Sequence, residues 1–104
     1  MNTVGFWRRD IGPQATDPRR HVDPHWDRTQ RDAVVRYLGL GRIAQLNGGR
    51  AECRICHGAY GSADLTDGEW AWSEVLVHYV SRHDVRPDQE FVDWVLGHGA
   101  VSDA

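Results

Sequence analysis

The sequence predicts a small α+β domain with a zinc-finger-like β-hairpin/helix core, an N-terminal helix and a short C-terminal helix. Three observations carry that expectation. The first is a turn-bound pair, Cys53 and Cys56, followed at a distance by His78 and His83 on a stretch with helical apolar spacing. The second is Asn47-Gly48 and Asp67-Gly68, each between short β-prone runs, the strongest short hairpin signal a sequence offers. The third is length: 104 residues make one domain, with a core modest enough to benefit from a metal staple.

Taken in order, residues 1–26 read as an extended, proline-containing arm. Pro13, Pro18 and Pro24 each push the residue before them out of helical geometry. Phe6-Trp7 and Trp26 are the aromatic anchors expected to pin this arm to the remainder, residues 27–98. A first helix is expected over residues 29–38, capped by Asp27 or Thr29, with Val34, Val35 and Leu38 as its buried stripe. Gly39 and Gly41 are expected to end it in the left-handed cap conformation.

Two strands, residues 42–46 and 50–55, are expected to pair around Asn47-Gly48-Gly49, the second delivering the cysteines into a knuckle tightened by Gly58. A second hairpin turns at Asp67-Gly68, and Trp70 and Trp72 on its return strand share one face by period-two alternation. Their expected task is core packing or covering the metal, with partner contact as the alternative. Ser73 caps a helix over residues 74–82. On that helix His83 falls within the arc of Val75, Leu76, Tyr79 and Val80, and His78 at its edge. Five residues apart at ~100° per residue, the two imidazoles stand about 140° from each other, so the last turn must tighten or unwind if they are to share one ion. A closing helix over residues 87–96 begins at Pro87, with Asp88 and Glu90 at its positive end. Phe91, Val92, Val95 and Leu96 form its stripe, Gly97 ends it, and residues 99–104 are a tail.

The Cys-x2-Cys-x21-His-x4-His order suits one tetrahedral Zn2+: a tight turn presents two thiolates and one helix presents two imidazoles. A Cys-x-x-Cys can also be a redox pair, but that reading requires a βαβ context which the pattern lacks. A disulfide-framed secreted domain requires more cysteines than two. A set of two sulfurs and two nitrogens closes the shell and leaves no position for water, so the zinc is expected to be structural and the protein not an enzyme. His57 beside Cys56 is expected to face solvent or support the ligands. His21 and His25 flank Pro24 and read as an exposed turn, with a second metal site the lesser reading.

Composition narrows the function classes. All twelve basic residues are Arg and none is Lys, which excludes Schiff-base and P-loop lysine chemistry. Net charge is −3, unevenly spread: residues 1–54 carry ten Arg against six acids, and residues 55–104 two Arg against nine. The two halves are expected to complement each other within one fold, with an anionic partner for the basic half as the alternative. No run approaches the ~20 apolar residues of a membrane helix, and the first ten residues lack the apolar segment of an export signal. A cytoplasmic location is expected.

The run Cys53-Arg54-Ile55-Cys56, Gly61-Ser62, Thr66-Asp67-Gly68-Glu69-Trp70-Ala71-Trp72, Leu76-Val77-His78-Tyr79-Val80 and His83-Asp84-Val85-Arg86-Pro87 resembles a family of small uncharacterised bacterial proteins with a zinc-finger-like Cys-Cys-His-His core. The resemblance covers about forty residues and implies the metal ligands but no activity. Members often carry proline after the second tryptophan, where this chain has Ser73, a change that replaces a proline-led helix start by a serine cap. The eukaryotic zinc finger shares the ligand order but has a spacer of about twelve residues.

These features predict a non-catalytic zinc module whose partner is another protein, met by the aromatic and arginine-rich arm. Nucleic acid is the alternative partner. Its contacts would be Arg8, Arg9, Arg19, Arg20, Arg28 and Arg31, with Trp7 or Trp26 stacking on bases. The metal-bearing helix lies in the acidic half of the chain and suits a DNA groove poorly.

Overall fold

A computed structural model describes residues 2–5, 18–46 and 52–99. They form a mixed α+β domain: a four-stranded sheet with three helices. Strand β1 (Asn2–Val4) precedes helix α1 (Arg28–Leu38); β2 (Arg42–Leu46), β3 (Ala63–Thr66) and β4 (Trp70–Ser73) follow, then α2 (Val75–His83) and α3 (Gln89–Trp94). The strand order is β1-β4-β3-β2, with β1 parallel to β4 and the other pairs antiparallel.

The hairpin at Asp67-Gly68 forms as the sequence predicts, and its turn chemistry is local. Asp67 Oδ1 accepts the amides of Glu69 and Trp70 at 2.8 and 2.7 Å, while Gly68 takes the left-handed φ of +102° that suits glycine. The return strand sends Trp70 and Trp72 onto Phe91 of α3, ring centroids 5.1 and 5.8 Å apart, and Trp72 also meets Tyr37 of α1. Both tryptophans are therefore core residues, and with Leu38, Leu76, Tyr79, Val80 and Val92 they fill the space between sheet and helices. Apolar burial of this kind is worth roughly 25 cal/mol per Å2.

The first expected hairpin is corrected. Residues 47–51 lie outside the described residues, and 53–58 form a turn closed by a bridge between Glu52 and Ala59, not a strand. The partner of β2 is β3, with Ile43 beside Leu65 and Leu46 beside Ala63. The backbone around the cysteines bends to present two sulfurs from one side, so it cannot also supply a straight ladder to β2.

Helix α1 starts where Asp27 accepts the Thr29 amide at 2.8 Å, as expected. Its end differs from the expectation. Gly39 is right-handed at φ −70°, and no positive φ occurs at Gly39 or Gly41. What requires glycine at 41 is contact: a Cβ there would lie 2.6 Å from the Trp72 ring. The closing helix is shorter than expected, Gln89–Trp94, and continues as a wider π turn over Val95–Gly99.

Of the segment read as an arm, residues 2–4 are an edge strand, and Pro18–His21 form a single 3-10 turn with Pro18 buried. Residues 21–23 pair with the loop after α2, where Arg86 N donates to His21 O at 2.8 Å and Asp23 N to Asp84 O at 2.9 Å. Trp26 is buried, donates its indole N–H to Gln30 at 3.1 Å and lies under the Arg86 guanidinium. Phe6, Trp7 and the tail 100–104 lie outside the described residues. Among those described, no helix is long and apolar enough to cross a membrane.

Candidate metal centre

The Cys53–Cys56 turn is built by its own backbone. Cys53 N donates to Gly58 O and His57 N to Cys53 O, both at 2.8 Å, and Cys53 Sγ accepts the amides of Ile55 and Cys56 at 3.4 and 3.5 Å. His57 takes the left-handed conformation, φ +64°, where the sequence pattern had pointed to Gly58. The His57 ring reaches Glu52 at 3.1 Å and remains exposed. Cys53 is fully buried, Cys56 is exposed, and both are free thiols.

Helix α2 carries the histidines. Glu74 N is held by Ala63 O, and the Glu74 carboxylate returns to the amides of Ser62 and Ala63, tying the helix start to β3. Ser73 Oγ accepts the Val75 amide at 3.4 Å, so it serves the helix start as expected, and Glu74 already has helical dihedrals ahead of α2. At the other end Asp84 is left-handed, and its N–H reaches Tyr79 O five residues back instead of four. The Val85 amide joins the same carbonyl at 3.2 Å. The α-helix itself runs through His83, so the widened closure falls just past the second imidazole and not between the two.

The four ligand atoms of Cys53, Cys56, His78 and His83 all lie within 4.8 Å of one another. His78 Nε2 stands 3.1 Å from His83 Nε2 and 3.5 Å from Cys56 Sγ. Zinc bonds of about 2.0 Å to nitrogen and 2.3 Å to sulfur set tetrahedral edges of roughly 3.3 Å between nitrogens and 3.5 Å between sulfur and nitrogen. The donor set, and these two of its edges, suit one metal ion. The Cys56 thiol is pulled down to about 5, first by the Gly58 backbone and then by His83, Tyr60 and His78, so the thiolate that a metal needs is the favoured form.

Two tyrosines complete the centre, and both escaped the sequence reading. The Tyr79 hydroxyl accepts the Arg54 amide at 2.8 Å, joining helix to turn from a buried position; burial raises its pKa. The ring of Tyr60 stacks on His78 with centroids 3.7 Å apart and planes 17° apart, and its hydroxyl lies 3.7 Å from Cys56 Sγ. Tyr79 was visible only as a member of an apolar arc. Tyr60 had one available signal, an aromatic residue four positions after a ligand.

The other predicted site residues described do not gather at this cluster. Arg28 and Arg31 both reach Asp84, at 2.7 and 3.4 Å, and Arg31 also pairs with Asp32 at 2.8 Å. Asp84 is held below the usual carboxylate range, chiefly by Arg28. Arg19 and Arg20 are exposed on the 3-10 turn, and Trp26 is buried in the core. Trp7, Arg8 and Arg9 lie outside the described residues. His21 and His25 join no metal-binding cluster among the described residues.

No protein-family model, curated protein or solved structure matches the chain, so what the site can do is argued from its own geometry.

Proposed function

We propose that this chain is a zinc-stabilised, non-catalytic module that binds another protein. The observation that carries the zinc is the four-ligand set itself, two sulfurs and two nitrogens converging from one turn and one helix. Tetrahedral S2N2 favours zinc among the common divalent ions, and four protein ligands leave no position for a reacting water. Metal analysis of the purified protein tests this. One zinc per chain with two sulfur and two nitrogen neighbours is expected; a stably folded protein with Cys53 and Cys56 in a disulfide would overturn it and revive the redox reading.

The partner reading draws on the β2 edge. A bulge between Ile43 and Gln45 puts Ile43 and Leu46 on one face, beside Leu65 and Ala63. Yet Ile43 and Leu46 are 65 % and 70 % exposed, and Leu40 before them 72 %. Beside them runs a groove of about 250 Å3 lined by Tyr37, Leu40, Gly41, Arg42, Thr66 and Asp67. The occupant that suits these side chains is an apolar segment of a partner chain, covering Leu40, Ile43 and Leu46 and sending one bulky side chain into the groove.

Arg28 and Arg31, two of the arginines that a nucleic acid would need, are engaged with acids, which favours a protein partner. Capture from a bacterial lysate by the full chain, lost in Ile43→Arg/Leu46→Arg with zinc content unchanged, is the expected outcome. Tight, salt-sensitive gel shifts with unrelated DNA or RNA would reverse the ordering.

A further inference from the structure

Cys53 is sealed in the protein while Cys56 is exposed, so the metal centre opens to solvent on the Cys56 side. Tyr60 lies on that side and touches two of the four ligands in different ways. Its ring covers a face of the His78 imidazole, nearly parallel at 3.7 Å between centroids, and its hydroxyl is within hydrogen-bond reach of Cys56 Sγ at 3.7 Å. Room for this pose comes from Gly58. A Cβ at position 58 would lie 2.5 Å from the Tyr60 hydroxyl oxygen and 2.6–2.7 Å from two ring carbons. Gly58 is not among the positive-φ glycines, so its missing side chain is required by the tyrosine and not by the backbone.

We propose that Tyr60, seated against Gly58, is the cover and positioning residue of the metal centre: its ring fixes the His78 plane, its hydroxyl donates to the Cys56 thiolate, and together they slow exchange of the ion with solvent. This rests on the zinc reading. Physically, a hydroxyl donating to a thiolate withdraws charge from sulfur and reduces its exposure to protons and competing electrophiles. A ring stacked on one face of an imidazole removes orientations in which the nitrogen could leave the ion. The cover thus acts on Cys56, the exposed ligand, and on half-buried His78, while Cys53 is closed off by the protein interior.

The test uses the full chain loaded with zinc and, separately, with Co2+ as a spectroscopic probe. Tyr60→Phe keeps the stack and loses the hydroxyl; Tyr60→Ala loses both; Gly58→Ala drives the tyrosine off by contact. Release to a chelator is expected to speed up by between about ten- and a hundredfold in Tyr60→Ala, the range typical of residues supporting a metal ligand, and by less in Tyr60→Phe. The sulfur-to-cobalt charge-transfer band should shift in Tyr60→Phe, a change that a merely structural role would not produce. Gly58→Ala should resemble Tyr60→Ala, and the double variant Gly58→Ala/Tyr60→Ala should release metal no faster than Tyr60→Ala alone. Wild-type release rates and an unshifted band in folded Tyr60→Ala and Tyr60→Phe would overturn the proposal. Failure of the zinc reading would show itself earlier, as wild-type protein whose cobalt spectrum lacks the intensity of a tetrahedral site with two sulfurs.

Discussion

The Tyr79 hydroxyl accepts the Arg54 amide at 2.8 Å, so the turn bearing both cysteines is fastened to the helix bearing both histidines by a bond between protein groups. Tyr79 sits one residue after His78 with its ring in the core, so the same side chain sets the helix against the sheet and the turn against the helix. Tyr79→Phe removes the acceptor and keeps the ring. Leaving the Arg54 amide without its partner is expected to cost on the order of 1–3 kcal/mol, and zinc affinity should fall with it. Thermal melting and a competitive zinc titration on the same preparation check both, and an unchanged affinity would show that the turn holds its shape unaided.

Metal removal is the stronger perturbation. Binding of a structural zinc is worth about 10–16 kcal/mol in small fingers. A domain's whole stability is only about 5–15 kcal/mol. Chelation is therefore expected to unfold at least residues 52–85, seen as lost amide protection there and a fall in helical circular dichroism. Cys53→Ser and His83→Ala should do the same without chelator. A folded, metal-free protein would mean that the core around Trp72 and Phe91 suffices alone.

The cluster of Cys53, Cys56, His78 and His83 was legible because metal-binding chemistry depends on residue type and spacing, which a sequence displays directly. The Asp67-Gly68 hairpin and the Asp27 cap were legible because their hydrogen bonds are local. What escaped depends on contacts distant in sequence. β2 reaches past the cysteine turn to pair with β3, and β1 joins β4 in parallel from the far end of the chain. Gly41 and Gly58 are glycines because of Trp72 and Tyr60, neighbours that no local rule names. Two imidazoles about 140° apart on an ideal helix come within 3.1 Å although α2 stays helical through His83, and the wide closure of Asp84 onto Tyr79 O was not legible from spacing.

Asp84 combines a left-handed backbone, φ +54°, with pairs to Arg28 and Arg31, and so couples the end of α2 to α1. Asparagine tolerates that conformation and removes the charge; alanine removes the charge and keeps a Cβ ill-suited to the left-handed region. Asp84→Ala is thus expected to be less stable than Asp84→Asn by about 1 kcal/mol. Its carboxyl pKa is depressed on folding, so the stabilisation it gives is present above the unfolded value of about 4 and disappears as pH falls through the lower folded value. Melting curves from pH 7 downward should show wild type losing its advantage over Asp84→Asn only at the acid end. Because the Arg28–Asp84 and Arg31–Asp84 pairs are partly open to solvent, high salt should narrow the same gap at neutral pH.

Tyr37 gives the opposite limb of the pH profile. Its hydroxyl donates to Asp67 Oδ2, and the Trp94 indole N–H reaches both, at 3.2 Å from the tyrosine oxygen and 3.0 Å from the carboxylate. Burial, and then the bond to Asp67, push the Tyr37 pKa up to about 12. Burial also pushes Asp67 up, but hydrogen bonds from Tyr37, from the amides of Trp70 and Glu69 and from Trp94 outweigh it and hold the carboxylate low. A group whose pKa rises on folding stabilises the fold below its unfolded value, here about 10, and that contribution is lost as pH climbs through the folded value. Wild type should therefore lose stability between about pH 10 and 12 more steeply than Tyr37→Phe. At pH 7 the variant should be the less stable of the two by about 1 kcal/mol, because Asp67 loses a donor while keeping three. Following the melting midpoint of both proteins from pH 8 to 12 decides it: parallel curves would mean that the Tyr37–Asp67 bond contributes nothing to the link between α1, the β3–β4 turn and α3.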